Sequence, residues 1–444
     1  MPNQRFHFHS LKELHETIQQ EKLDLPLSDN IGLLDSPLKI NNWQLPNRIV
    51  FQPMEGCDGT ASGQPGELTI RRYQRFASGG PAIIWMEAVA IVPEGRANPR
   101  QLFLSEENLD SFKRLITNTK EISRDENGYE PKVIVQLTHS GRYSKPNGTP
   151  HPLIAYNNPL FEGQSPIPQE QILSDDYLKG LEEAFGKAAH LVEQTGADGA
   201  DIKCCHRYLL CELLSAFNRK GEYGGSFENR TRLYRNAITA AQADVSSNFM
   251  ITSRLNAYDG FPYPYGFGVR EGNGLQPDLT ETLQLVKILV EQMKMPLLNI
   301  TAGNPYVNAY VNRPSDVPDN LSVESPLTGV TRILNCCSTI QTAFPKLNVI
   351  ASGLSYLRQY SPYVAAGMIE QGRMSLAGFG REAFAYPTML HDLRKGGMDG
   401  VKCCIACGKC SEMMRAGTVT GCVIRDSEVY APIYKEHVQK SIKE

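Results

Sequence analysis

A chain of 444 residues is too long for one small domain and suits either a single large, decorated α/β barrel or two to three ordinary domains. Its 45 basic and 48 acidic residues leave a formal charge of −3, which argues against nucleic acid or an anionic membrane surface as partner and leaves small molecules and proteins. The opening residues lack an apolar signal-peptide core, and no apolar run approaches the ~18 residues a membrane span requires, so no membrane association and a cytoplasmic location are expected.

Residues 1–36 read as a polar N-terminal extension in which "SLKELHETIQQEKLDL" spaces its leucines for a short amphipathic helix. Eight β-type runs follow: "RIVFQPM" (48–54), "AIIWMEA" (82–88), "KVIVQLT" (132–138), "GADIKC" (199–204), "MITSRL" (250–255), "PLLNIT" (296–301), "NVIASG" (348–353) and "MSLAGF" (374–379). Helical patterns lie between them, among them "YLKGLEEAFGKAAHLVEQTG" (177–196) and "LTETLQLVKILVEQMK" (279–294). Eight strands alternating with helices predict a closed (β/α)8 TIM barrel over residues 37–395, with its chemistry at the strand C-termini. No G-x-G-x-x-G follows a strand and no P-loop is present, which removes the signatures of a Rossmann domain. The three glycines of "DLRKGGMDG" mark a boundary near residue 395, after which residues 396–444 form a short cysteine-rich segment.

At the predicted strand ends stand Pro53, Met54, Ala88, Gln136, His139, His206, Tyr208, Arg254, Gly353, Gly380 and Arg381. Five stretches in order, "LPNRIVFQPM", "MEAVAIVPEGR", "QLTHSGR", "HRYLLCELLSAFNRKGEYGGSFENR" and "GFGR", resemble the Old Yellow Enzyme family of FMN oxidoreductases, with "NRKGEYGGSFENR" the most specific. The resemblance implies FMN as cofactor. It casts Gln136 and Arg254 as donors to the flavin pyrimidine edge, and the backbone of Pro53, Met54 and Ala88 as contacts to the ring. Gly353, Gly380 and Arg381 become the phosphate site, in agreement with the general placement of phosphate after the last two strands of such barrels. It further implies that Tyr208 protonates the substrate carbon and that His206 grips the substrate carbonyl oxygen. Two positions depart from the family: Lys203 stands where a second gripping residue, His or Asn, is usual, and Glu55 replaces a small or sulfur-bearing residue beside the flavin.

Of the eleven cysteines, Cys404, Cys407, Cys410 and Cys422 form C-x2-C-x2-C-x11-C, with Cys403 as a spare adjacent thiol. Structural zinc usually takes two separated C-x-x-C or C/H pairs, whereas three close thiolates and one remote thiolate suit a [4Fe–4S] cluster. Following such a barrel, the group resembles the iron–sulfur branch that contains 2,4-dienoyl-CoA reductase and trimethylamine dehydrogenase. The expectation is an FMN- and [4Fe–4S]-dependent oxidoreductase that reduces an activated C=C bond, with NAD(P)H or a separate electron-transfer protein as electron source. The rivals are a dehydrogenase passing electrons through the cluster, for which the sequence displays no aromatic cage, and an electron-relay subunit.

Overall fold

The computed structural model describes residues 6–314 and 324–440, so residues 1–5 of the predicted N-terminal extension and 441–444 of the predicted cysteine-rich segment lie outside the described residues. The eight predicted runs form eight parallel strands: β1 (Ile49–Phe51), β2 (Ile83–Ala90), β3 (Lys132–Thr138), β4 (Gly199–Ile202), β5 (Met250–Asn256), β6 (Leu297–Thr301), β7 (Asn348–Ala351) and β8 (Leu376–Phe379). Each pairs with its sequence neighbours and β8 pairs with β1, closing the barrel. Their continuous apolar character, rather than an alternating one, follows from burial on both faces, by side chains within the barrel and helices outside. A register shift between Met86 and Ala88 bends β2 at the mouth.

The connecting helices begin where local chemistry dictates. Helix Asp175–Gln194 starts two residues before its predicted pattern because Ser174 caps it, accepting from the Tyr177 N–H at 3.2 Å, and two aspartates occupy its first turn. The predicted 279–294 helix is α-helical only over Thr280–Lys287 and widens into a π-helical turn at Ile288–Gln292. Near the N-terminus, Leu11–Gln20 is capped by Ser10 and buries Leu14 and Ile18, shorter than the predicted span because Lys22 takes a left-handed φ of 52°.

A two-stranded hairpin, Leu38–Ile40 with Trp43–Leu45, plugs the N-terminal end of the barrel with Ile40, Trp43 and Leu45 against Ile83, Trp85, Ile134 and Leu376. At the opposite end lies the C-terminal segment with helices Lys409–Arg415 and Ser427–Tyr434. It is tied to the β1 end, where Thr420 N–H donates to the Gly56 carbonyl at 2.7 Å, and to helix Glu67–Ser78, whose Arg71 and Arg75 grip Asp426 at 2.7 and 2.6 Å. The segment that positions the four cysteines is thus held over the barrel mouth.

Candidate active site

Polar side chains fill the upper interior of the barrel. Asp201 of β4 accepts from the Trp85 indole (2.7 Å), the Gln136 amide (2.6 Å) and the Arg254 backbone N–H (2.7 Å). Burial nonetheless raises its pKa from 3.8 to about 6, because desolvation of a carboxylate outweighs these donors. Beside it, the Asn299 amide donates to Gln52 at 2.7 Å, and the Gln52 amide to the Ser352 hydroxyl at 3.2 Å. One hydrogen of the Gln136 amide, expected as a free donor to a ligand, is thereby committed to Asp201. Arg254 differs: it lines the cavity, and its buried Nε has no hydrogen-bond partner among the described residues. A buried arginine so placed is a site prepared for an acceptor or a delocalised negative charge.

One cavity at the mouth brings together every barrel residue singled out as catalytic or cofactor-binding: Pro53, Met54, Ala88, Gln136, Lys203, His206, Tyr208, Arg254, Gly353, Gly380 and Arg381. His139 does not join them. It is buried, with Nδ1 taking the Gly141 N–H and Nε2 beside the Tyr177 hydroxyl at 3.1 Å, and burial lowers its pKa to about 3. Its place at a strand end puts it in the packing behind the mouth.

The loop after β4 carries the reactive side chains in an uncommon backbone. His206 and Arg207 both adopt left-handed φ, 60° and 63°, a conformation that costs non-glycine residues on the order of 1–3 kcal/mol each. Arg207 holds the loop in place. Fully buried, it donates to Asp259 (3.0 Å), to the Ser215 hydroxyl (2.5 Å), to the Tyr265 carbonyl (2.9 Å) and to the Tyr156 hydroxyl (2.9 Å). His206 Nε2 lies 3.1 Å from the Asn312 amide, which also reaches the Ala302 carbonyl at 2.8 Å. Burial, with Arg254, Lys203 and Arg313 nearby, lowers its pKa well below the ordinary range, so the ring is neutral. An amide donor at Nε2 leaves the ring proton on Nδ1.

Lys203 places its ammonium 3.4 Å from the centroid of the Tyr208 ring, a cation–π contact in which burial lowers the lysine pKa while Cys205 and Glu55 support the charge. The Tyr208 hydroxyl is 2.9 Å from that of Tyr306. Tyr143 lies tilted by 35° against Tyr306 with centroids 4.1 Å apart and stands 5.7 Å from Tyr208. These three tyrosines come from the segments after β3, β4 and β6, and their convergence has no trace in sequence spacing. Asn312 and Arg313 were likewise missed, because they lie in the same long connection after β6. Ser352 and Gly378 did carry a signal: each lies in a predicted strand-end run and lines the cavity.

Arg381, Gly380, Ser352, Gly353 and Ser355 line this cavity. Gly353 has a φ of 98°, a conformation open to glycine, and turns the chain out of β7. Together with Arg254, which lines the same cavity, this set of donors and small residues fits a ligand that carries both a phosphate and a polar ring edge, as FMN does.

The four predicted ligand cysteines, Cys404, Cys407, Cys410 and Cys422, line a second, smaller cavity with Arg381, Phe384 and Arg425. Ala406 takes a left-handed φ of 53°, Arg425 Nε donates to the Cys403 carbonyl at 3.1 Å, and buried Glu382 accepts from the Cys404 N–H at 3.1 Å. Among the described residues no three His, Cys, Asp or Glu side chains converge closely enough to hold one metal ion. Cys403 is buried and does not line the cavity. Cys410 and Arg381 border both cavities.

A closed parallel barrel with a polar mouth suited to FMN defines a flavin-dependent oxidoreductase class. Residues 34–266 match the NADH:flavin oxidoreductase / NADH oxidase family, and the chain belongs to it. The NADPH dehydrogenase of Clostridium acetobutylicum is 30% identical over 278 residues, covering 61% of this chain and 75% of that protein. The NADPH dehydrogenase of Bacillus subtilis is 33% identical over 211 residues, covering 46% of this chain and 58% of that protein. Among solved structures, 2-naphthoyl-CoA reductase in complex with 2-naphthoyl-CoA superposes with a TM-score of 0.72 at 20% identity, covering 89% of this chain and 57% of that one. Histamine dehydrogenase from Rhizobium sp. 4-9 gives 0.68 at 18%, covering 89% and 53%. The old yellow enzyme homologue from Zymomonas mobilis gives 0.61 at 19%, covering 82% and 92%. The chain therefore spans little more than half the length of the first two of these structures and most of the third, and the likeness extends the match in fold beyond the barrel's first half.

Proposed function

We propose that this protein is an FMN- and [4Fe–4S]-dependent reductase of activated C=C bonds, in an enone or an enoyl thioester, acting in the cytoplasm with NAD(P)H or a separate electron-transfer protein as electron source. The observation that carries the reading is the convergence of Tyr208, His206 and Lys203 on the cavity that Arg254 and Arg381 also line. Bound FMN would supply hydride to the substrate β-carbon. His206, through Nδ1–H, and Lys203 would donate to the carbonyl oxygen and stabilise the enolate charge that develops there. Tyr208 would deliver its phenolic proton to the α-carbon; burial keeps that phenol in its acid form across the physiological range. Gln136 and Arg254 would hold the pyrimidine edge, Pro53, Met54 and Ala88 the ring, and Gly353, Gly380 and Arg381 the phosphate.

Cys404, Cys407, Cys410 and Cys422 would hold the cluster, a reading supported by their spacing and by their lining one cavity. Cys410 borders the cofactor cavity, which would put the cluster beside the flavin. Anaerobic purification with iron, zinc, sulfide and flavin analysis tests both cofactors. About four irons and one FMN per chain are expected, and zinc without flavin would refute the assignment. The substrate is tested by NADPH oxidation dependent on 2-cyclohexenone or a 2-enoyl thioester.

A second reading, an amine dehydrogenase of the trimethylamine dehydrogenase type, gains from the tyrosine cluster of Tyr143, Tyr208 and Tyr306 beside Glu55. Aromatic faces and a carboxylate favour a cation. Lys203 in the same cavity opposes it. Amine-dependent dye reduction without enone reduction would establish this alternative.

A further inference from the structure

We propose that Glu55 returns a proton to Tyr208 after each turnover, drawing it from water in a second cavity on its far side. The proposal rests on the alkene-reduction reading above and names a catalytic group that reading does not use.

Tyr208 can give its proton to a substrate carbon once. When the new C–H bond forms and the phenolic O–H breaks, a phenolate is left that must be reprotonated before the next cycle. Tyr208 is only 3% exposed, so bulk water does not reach it freely. Its hydroxyl is 2.9 Å from that of Tyr306, and the Glu55 carboxyl lines the same cavity and acts on the phenol electrostatically; both groups can exchange protons. Glu55 directly follows Met54 at the β1 end, and the Asn98 amide fixes it from the other side at 3.2 Å.

A second cavity of about 290 Å³ adjoins the first and includes Cys57, Asn98, Tyr143, Lys145 and Arg415 in its lining. Among the described residues, only Glu55, Tyr306 and Met414 line both cavities. Methionine carries no exchangeable proton, and burial raises the phenol of Tyr306 far above neutrality, which leaves Glu55 as the group able to cycle between acid and base. Lys203, the Asn98 amide, Tyr208 and Arg72 favour the Glu55 carboxylate, the Glu87 carboxylate opposes it, and the Cys57 thiol and Tyr306 phenol are neutral where Glu55 titrates. Burial dominates and raises its pKa above the ordinary carboxyl range.

The proton balance closes without electrons. Glu55 as the acid gives its O–H proton to the Tyr208 phenolate oxygen, restoring the phenol, and the resulting carboxylate takes up, through water in the outer cavity, the solvent proton that each reduction consumes, delivered as hydronium or by a buffer acid. The Lys203 ammonium over the Tyr208 ring holds the transient phenolate in the meantime.

The test uses the holoprotein with Glu55→Gln, which keeps size and hydrogen bonding but cannot complete the cycle, and Glu55→Asp, which can. With NADPH and 2-cyclohexenone, E55Q is expected to complete its first turnover at the wild-type rate in stopped flow, since Tyr208 starts protonated. Its steady-state rate is expected to fall by roughly ten- to a hundredfold, a loss within the range of general acid–base effects, and E55D to recover much of it. A purely structural role would slow both phases together or neither, and either result overturns the proposal. Independently of turnover, infrared difference spectra of wild type against E55Q should show a protonated-carboxyl stretch that shifts in D2O and fades as pH rises; its absence at every pH where the enzyme works also overturns the proposal. If the wild-type protein turns over neither the enone nor an enoyl thioester, the functional reading falls and the proposal with it. E55Q matching an active wild type removes the proposal alone.

Discussion

The two ends of the barrel are made by the same eight strands and carry opposite chemistry. At the N-terminal end, Ile40, Trp43 and Leu45 of the hairpin close the interior with apolar surface against Ile83, Trp85 and Leu376. At the C-terminal end, Gln52, Gln136, Asp201, Arg254 and Asn299 are buried, and Arg254 keeps a polar atom without a protein partner. Burying polar groups costs free energy unless they are satisfied, so an interior that is polar at one end only marks the end where a ligand completes the bonding. The same asymmetry separates residues that set stability from residues that set chemistry.

Substitutions at the two ends should therefore divide cleanly. The largest effect is expected at the mouth. Tyr208→Phe should lower enone reduction by about 10²–10⁴-fold, the usual contribution of a positioned acid, while NADPH-driven bleaching of the flavin is unchanged. Rapid-mixing measurement of the two half-reactions checks this, and an equal loss in both would place Tyr208 in binding instead. At the closed end, Trp43→Ala should cost about 3–5 kcal/mol of stability, as truncation of large buried aromatics does, with kcat/KM unchanged in the folded fraction. A denaturant titration alongside a kinetic assay reads both.

Asp201 joins the two roles, and its pH dependence has a definite sign. Its folded pKa, about 6, stands above the ordinary 3.8, so the folded state holds the proton more tightly. That contribution is fully present below pH 3.8 and is lost as pH rises through about 6, a change of about 3 kcal/mol at 1.36 kcal/mol per unit. Asp201→Asn, which keeps the shape without the charge, should flatten this part of the stability profile between pH 4 and 6. Chemical denaturation across that window in the flavin-free protein checks it, and an unchanged slope would mean that another buried carboxyl sets the profile.

How much of this was legible in the sequence depended on whether a feature was local. The eight strands were, because each is a short continuous apolar run and every strand end except that of β6 carries a motif residue. The mouth residues followed from strand order, since closing a parallel barrel puts all strand C-termini at one rim. The cysteine spacing was legible as well, and the lining of one cavity by all four thiols is compatible with it. What failed was non-local or hidden behind local likeness. Tyr143, Tyr306 and Asn312 meet only because long connections fold back over the mouth, so the sequence displayed no aromatic wall where the structure has one. The Gln136 amide looked free because its partner, Asp201, sits on the neighbouring strand. His139 looked like a mouth residue, yet its ring is drawn into packing by Gly141 and Tyr177.

The smallest expected effect concerns how firmly the cysteine-rich segment is fastened to the barrel. Arg71 and Arg75 both hold Asp426, whose side chain is only 7% exposed, while the Arg71 side chain is 36% exposed. Solvent screens the arginine, so Arg71→Ala alone should cost less than about 1 kcal/mol, and less still at high salt. Asp426→Ala is a different perturbation. It removes the shared anion from both arginines, while the Thr420–Gly56, Arg100–Gly417 and Cys404–Glu382 hydrogen bonds still fasten the segment to the barrel. The double variant Arg71→Ala/Asp426→Ala should then be no less stable than Asp426→Ala, because the arginine has nothing left to hold. Thermal unfolding of the three variants at low and high salt measures that coupling. A full additive loss in the double variant would mean that Arg71 stabilises the segment through packing of its stem rather than through its charge.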